Sequence, residues 1–504
     1  MAGATITRSK ASIDEPRVSW PRAAVGDRLE RPLARPQPAP FVHRRLSVTE
    51  MVDLVAIGAG QAAVPLVRAL AKQGMSAVLV EREQVGGSCV NYGCTPTKAA
   101  LASAHQAAAM HDRSLGVVAE GVRIDYRAII DRAAGFANAG REYLDGLFAE
   151  GDPRLVRGHA RLWGRDGDRL RVVVDDGPVF LARHVVLDTG SRSTLPPVPG
   201  ITDIDVVTAE TWLRLDRLPE RLLMIGSGSV GLEMAQFYRR LGAAVTVVER
   251  SAEVAPAEDA DIAGLVRAGL EAEGVDFRTG VEIEAIARDG EAIVATIGGG
   301  RLFFSHVFVA SGRLPALADL GLDSVGLSPE PGGTIAVDEQ LRTRVPGLYA
   351  AGDIRGGLRL THTAWDDYRI LLSVLGNGVP HTTRRVVPYA TFTDPEIGRV
   401  GMTEREARAR GVAHHVYRHP YASIAKARED GRDRGTIKLV LEATREKLLG
   451  AAIVGEGASE IIHLLSLLMH LDQPLSAIVD GVYAHPTLAE GLQSAITAAV
   501  EEGQ

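Results

Sequence analysis

Apolar positions along this chain come in two patterns that follow one another in a fixed order. In the run VDLVAIGAGQAAVPLVRALAKQGMSAVLVER, residues 52–57 are almost uninterruptedly apolar. Val64, Val67 and Leu70 then recur at helical spacing, and residues 77–81 are apolar again. Solid runs of this length predict strands covered on both faces. The spacing between them predicts a helix with one apolar stripe, so the segment reads as a β-α-β unit with parallel strands. The order recurs in LLMI at 222–225, a helical GLEMAQFYRRLG, and AVTVVE at 244–249. The chain therefore predicts an α/β fold built on two Rossmann-like domains. Long helical stretches around 99–111 and 126–149 predict an antiparallel pair, and EIIHLLSLLMHL predicts an apolar helix serving either as core or as a subunit face.

Composition narrows the class. A chain of 504 residues exceeds what one core supports and should divide into about three domains. A net charge of −7 gives no general attraction to nucleic acid or an anionic membrane, so neither is an expected partner. No apolar run reaches membrane-spanning length and the start carries no secretory h-region. Two cysteines in so long a chain make no disulfide framework, and a cytoplasmic location is the expectation. Residues 1–50 stand apart: PRVSWPRAAVGDRLERPLARPQPAP is rich in proline and arginine without any period, and reads as a disordered extension. Its acidic residues argue against a transit peptide. Met51 directly precedes the first strand, which makes the extension either a tail or the product of an upstream start.

The turn of each unit carries a nucleotide fingerprint. Gly58-Ala59-Gly60 makes the first turn tight, and Ala63 takes the third place, where a small side chain lets helix and strand approach. Glu81 closes the second strand, where a carboxylate can bind an adenosine ribose. In the second unit Gly226, Gly228 and Gly231 take those places and Glu249 takes that of the acid. Each pyrophosphate would rest on N–H groups at a helix N-terminus, where the dipole favours negative charge. Glu249 favours a free ribose hydroxyl over a 2′-phosphate, hence NADH over NADPH, against the adjacent Arg250, which could meet a phosphate.

Cys89 and Cys94 lie five positions apart in GGSCVNYGCTPTK, shortly after the first fingerprint. A bond closing so small a loop constrains the unfolded chain little, which weakens a structural reading. A helix starting there would lower a thiol pKa, which favours a redox pair. Two dinucleotide folds flanking a dithiol suggest a relay from nicotinamide through a flavin to a disulfide, the flavin bridging a hydride carrier and two sulfurs.

GGSCVNYGCTPTK closely resembles the active-site segment of the class I pyridine nucleotide-disulfide oxidoreductases, the FAD-dependent family of dihydrolipoamide dehydrogenase, glutathione reductase and mercuric reductase. Other segments resemble that family in its own order. LDTGSRSTLPPVPG is similar to the crossing from FAD to NAD domain, and VASGRLPAL to the return. VPGLYAAGDIRGG is similar to the second FAD motif, VPYATFTDPEIGRVGMTEREA to the opening of the interface domain, and HPTLAE to the catalytic-histidine motif. The resemblance implies FAD and NAD(P)H as cofactors, a homodimer, and a domain plan. Residues 51–200 would begin the FAD domain, 201–320 form the NAD(P) domain, 321–385 complete the FAD domain, and 386–504 form an α+β dimerisation domain.

It also implies roles. Cys94 would be the thiol beside the flavin, in charge-transfer contact and transient adduct with its ring. Cys89 would be the interchange thiol that attacks a substrate disulfide, since exchange needs an accessible thiolate. Lys98 would lie near flavin N5, paired with Glu233. His485 of the partner subunit would be the base, oriented by Glu490. Gly87, Ala160, Thr189, Gly190, Gly312 and Gly352 would contact the cofactor, with Asp353 on the ribityl chain. Thr361 and His362 would open a helix whose N-terminal dipole faces the flavin C2 carbonyl. Of the 14 histidines this context singles out His485; His414, His415 and His419 make no convincing metal set, and no metal site is expected.

The acceptor needs finer signals. No cysteine follows Cys94, so the C-terminal pair that delivers the ion in mercuric reductase is missing, although NYGCTPTK, THTAWDDYRI and TFTDPEIGRVGMTE resemble the mercuric-reductase-like branch. HPTLAE and Glu249 suit lipoamide chemistry, and Glu249 counts against an NADPH-type glutathione reductase. The leading expectation is an enzyme acting on a lipoamide-like or other small disulfide. The alternatives are a mercuric-reductase-like or quinone-reducing flavoprotein and, in another class, a redox-sensing flavoprotein.

Overall fold

The computed structural model describes residues 49–502, so the 1–50 extension lies outside the described residues except for its last two positions. Those two, Thr49 and Glu50, pair with Val179 and Phe180 and belong to the first strand, Thr49–Ile57. The strand thus begins three residues before its apolar run, because a neighbouring strand, not local pattern, sets where pairing starts.

Thr49–Ile57 pairs in parallel with Ala77–Glu81 on one side and Val179–Leu187 on the other, within a seven-stranded sheet among the described residues. Leu54, Val55 and Ala56 have no exposed surface, as solid apolar runs between two covered faces require. The helix Ala63–Ala71 covers one face, sharing a cluster with Ile370 and Leu371 of the helix Thr361–Leu375. Val179–Leu187 is shared along its length: its first part pairs antiparallel with Arg169–Val174 and its last part parallel with Leu348–Ala350. That last pairing brings the segment after residue 350 back beside the first glycine turn.

The second unit repeats the plan with Arg221–Ile225, the helix Ser229–Arg240 and Ala244–Glu249 in a five-stranded parallel sheet. A three-stranded antiparallel meander, residues 283–304, packs on it through Ile283, Ile286 and Ile293. The C-terminal part is a five-stranded antiparallel sheet covered by the helices Ala458–His470 and Leu488–Glu501. Ala458–His470 buries Ile461, Ile462, Leu465 and Leu468 in that core while Leu467 stays exposed. The architecture is the α/β plan with an α+β C-terminal part that the patterning and motifs predict.

The expected helix pair is Cys94–His111 and Tyr126–Gly146, which pack against each other. The second is capped by Asp125, whose carboxylate accepts from Ala128 N–H at 3.0 Å. The first begins at Cys94, earlier than its apolar spacing suggests, because the polar turn Thr95–Lys98 is wound as helix. Among the described residues no helix is long and apolar enough to cross a membrane.

Candidate active site

Both glycine turns have the backbone that their fingerprints require. Gly58 has φ +96°, and a Cβ there would stand 2.3 Å from the Asp188 carbonyl oxygen. Gly226 has φ +100°, with the corresponding Cβ 2.6 Å from the Ala310 carbonyl. Only glycine fits such positions. Gly228 caps the helix Ser229–Arg240 and Gly231 lies in its first turn, as Ala63 opens Ala63–Ala71. Each acid turns back onto its loop. Glu81 Oε2 accepts from Ala59 N–H at 2.7 Å, and Glu249 Oε2 accepts from Ser227 N–H at 3.0 Å and Ser227 Oγ at 2.8 Å. Burial opposes charge on Glu249, but donors from Ser251 and Ser227 hold its carboxyl below the usual range, so it stays ionised.

From the first turn a cavity of about 1770 Å³ runs past Glu81, Gly87, Ala160, Thr189, Gly190, Gly312, Gly352 and Asp353 to Cys89, Cys94, Lys98, Glu233, Thr361 and His362. Residues scattered over the sequence thus line one continuous space, larger than a drug-sized ligand needs. Its glycine turn lies beside the Ala63–Ala71 N-terminus, Asp353 is held by a hydrogen bond from Ser191 Oγ, and Thr361 opens a helix at the far end. These features fit FAD: a turn for the pyrophosphate, acids for sugar hydroxyls, a helix terminus for the ring.

At that end Cys89 sits in the short helix Gly87–Asn91 and Cys94 opens the next helix, both as free thiols. Cys94 Sγ lies 3.1 Å from Thr361 Oγ1. The hydrogen bond from the Cys89 thiol, then that from Thr361 and the nearby Lys98 ammonium, bring the Cys94 thiol down to about 6 against desolvation. Giving that bond, and burial, push the Cys89 thiol up, so the pair's proton rests on Cys89. Lys98 is held from two sides: Nζ is 2.8 Å from Glu233 Oε2 and 4.5 Å from the Phe392 ring centre. Glu233, itself buried, accepts from Phe392 N–H at 3.0 Å through its other oxygen.

His485 and Glu490 pair with each other but do not line this cavity. Glu490 Oε2 takes His485 Nδ1 at 2.9 Å, which leaves Nε2 as the nitrogen able to accept a proton. The His485 side chain is 67% exposed. Within one chain, therefore, the thiols and the imidazole are not brought together.

Three residues at the site escaped the sequence reading. Asp188 is buried at the end of Val179–Leu187, its Oδ2 accepting from Ala62 N–H at 3.2 Å and Ala63 N–H at 2.9 Å. A charge directly after an apolar parallel strand, at the sheet edge where ligands bind, was an available signal. Asp367, fully buried, accepts from Gly352 N–H at 2.9 Å and from Arg355 Nε and Arg385 Nη2, both at 2.7 Å, fixing the turn that carries Asp353. Phe392 left no local trace, since its contact with Lys98 spans the whole second unit.

Comparison with known proteins gives a consistent set of relatives. Residues 52–367 match the family model described as pyridine nucleotide-disulphide oxidoreductase, and residues 387–496 match the dimerisation domain of the same family. Mercuric reductase from Streptomyces lividans is 34% identical over 455 residues, covering 88% of this chain and 95% of its own. Mitochondrial dihydrolipoyl dehydrogenase from Pisum sativum is 30% identical over 464 residues, covering 89% and 92%. Among solved structures, the HOCl-induced flavoprotein disulfide reductase RclA from Escherichia coli aligns with a TM-score of 0.80 at 30% identity, over 88% of this chain and 99% of that one.

Proposed function

The chain belongs to the pyridine nucleotide-disulphide oxidoreductase family, whose members are FAD-dependent and use NAD(P)H, and on that premise we propose that it reduces a small, lipoamide-like disulfide at the expense of NADH. The observation that carries this reading is the polarised thiol pair, with Cys94 held low and the proton on Cys89, in the cavity that also holds the first glycine turn. FAD, when bound, supplies two-electron transfer between nicotinamide and sulfur. Gly58, Gly60, Glu81, Gly352 and Asp353 would hold it, and Lys98, fixed by Glu233 and Phe392, would keep positive charge beside the ring and Cys94.

The protein's own part is proton and sulfur chemistry. Cys89, as thiolate, attacks one sulfur of the substrate disulfide and releases the other as a thiol. Cys94 thiolate then attacks Cys89, freeing the second substrate thiol and closing the bond between Cys89 and Cys94. The net change is NADH, one proton and a disulfide giving NAD⁺ and two thiols. His485, with Nδ1 on Glu490, takes the Cys89 proton and returns it to the leaving thiol. The exposure of His485 outside the cavity supports a site completed by His485 of the partner subunit, and the dimerisation domain supports a homodimer.

A mercuric-reductase-like activity is the second reading, favoured by the identity to the Streptomyces lividans enzyme and opposed by the lack of any cysteine after Cys94. Steady-state NADH oxidation with lipoamide, oxidised glutathione and Hg(II) as acceptors separates these readings. Turnover with lipoamide is expected. Turnover with Hg(II) alone would replace the first reading by the second, and cycling of the pair with no acceptor turned over would favour redox sensing.

A further inference from the structure

We propose that Asp188 is a positioning residue that ties flavin retention to pH: its carboxyl must carry a proton while the FAD pyrophosphate occupies the first helix N-terminus, and ionisation of Asp188 releases the cofactor. The inference rests on assigning the cavity to FAD.

The geometry leaves this carboxyl nowhere else to go. Its Oδ2 accepts from Ala62 and Ala63 N–H, the buried donors that open Ala63–Ala71, while the carboxyl itself borders the cavity beside the first glycine turn. A Cβ on Gly60 would stand 2.6 Å from Oδ2, and one on Gly352 would stand 2.8 Å from Oδ1. Asp188 is therefore wedged between the two segments expected to hold FAD: it is bonded to backbone of the first and leaves no room for a side chain at Gly352 in the second.

The charged groups that face it are mostly of its own sign. From the first glycine turn it meets only backbone. From residues 352–355 it meets Asp353, and from the helix Thr361–Leu375 it meets Asp367. The nearby cations, Arg355 and Arg385, are engaged by Asp367. Burial pushes the Asp188 carboxyl up to about 8, with Asp367 and Asp353 adding to it and the Ala63 and Ala62 amides opposing it. A dianionic pyrophosphate at the same helix end adds more negative charge, which favours the protonated form further.

The sign follows from linkage. Where the carboxyl is ionised without flavin, binding must bring a proton, so affinity is full below that range and falls as pH rises through it, by up to about tenfold per pH unit for one proton. A neutral asparagine of the same shape has no proton to lose.

The test uses the holoenzyme, diluted and equilibrated from about pH 6.5 to about pH 9.5, with released FAD read by its fluorescence. The native protein should hold FAD with constant affinity at the acid end and release it progressively above about pH 8, whereas Asp188→Asn should give a flat profile. A flat native profile, or an Asp188→Asn profile that rises with the native one, would overturn the proposal. If Asp188→Asn does not fold by circular dichroism, Asp188→Ser takes its place with the same two outcomes. A native protein that binds no flavin at the acid end would instead sink the cofactor assignment itself.

Discussion

Single contacts set the behaviour of the thiols. Cys94 is held low by three neighbours, Cys89, Thr361 and Lys98, contributed by three separate elements. In the reduced enzyme the Cys94 thiolate is present above about pH 6 and lost below it, so the long-wavelength thiolate-to-flavin band should grow with a midpoint near pH 6. Cys89→Ser keeps a hydroxyl donor at that place. It should retain flavin and the band while disulfide turnover disappears, which absorption spectra and steady-state assays check together. Unchanged turnover would exclude Cys89 as the interchange thiol. His485→Gln should slow thiol–disulfide exchange by about 10²-fold or more. Flavin reduction by NADH, followed separately by stopped flow, should not change, because in the proposed mechanism the imidazole handles only the substrate-side proton.

At the scale of elements, the two nucleotide units share a backbone solution and differ in what surrounds it. In each, a strand-end glutamate is clasped by loop amides, so its charge is fixed in place. On the proposed NADH reading the fixed Glu249 anion opposes a 2′-phosphate on the ribose, and NADH should exceed NADPH in kcat/KM by at least about tenfold. Equal kcat/KM values for the two would show that Arg250, exposed on the next position, governs the choice instead. Strands and helices of these units were legible because solid and spaced apolar runs report burial directly. Their ends were not: the first strand and the helix starting at Cys94 both run past their apolar pattern, since pairing partners and capping turns extend them.

For the whole molecule, the C-terminal sheet is anchored to the second nucleotide unit by a buried cation. Lys438 Nζ, its side chain 1% exposed, lies 2.8 Å from Asp261 and Glu404 and 3.0 Å from Asp259. Lys438→Met would leave Asp259 without its cation, and Asp261 and Glu404 with only Arg418 between them; it should destabilise the protein by about 3 kcal/mol, near the low end for a broken buried pair because Arg418 remains and Asp261 is partly exposed. A lowered unfolding temperature at neutral pH is the readout. The carboxylates are held below their ordinary values, so this contribution is present at neutral pH and fades as pH falls through those values. An unfolding temperature equal to that of the native protein would mean the anchor adds nothing.

Sequence alone determined whatever depends on neighbours in the chain: the strand and helix order, the turns where only glycine fits, the thiol spacing, and the pairing of His485 with Glu490 five residues on. Tertiary structure decided what depends on distant segments meeting. Parallel pairing of Leu348–Ala350 with Val179–Leu187 places Asp353 beside the first turn, and the arrival of Thr361 beside Cys94 adds to the hydrogen bond from Cys89 in holding that thiol low, while Phe392 packs on Lys98. Burial then changes the character of a residue such as Asp188, because a carboxyl stripped of water responds to every charge nearby, and no stretch of sequence states which charges those will be.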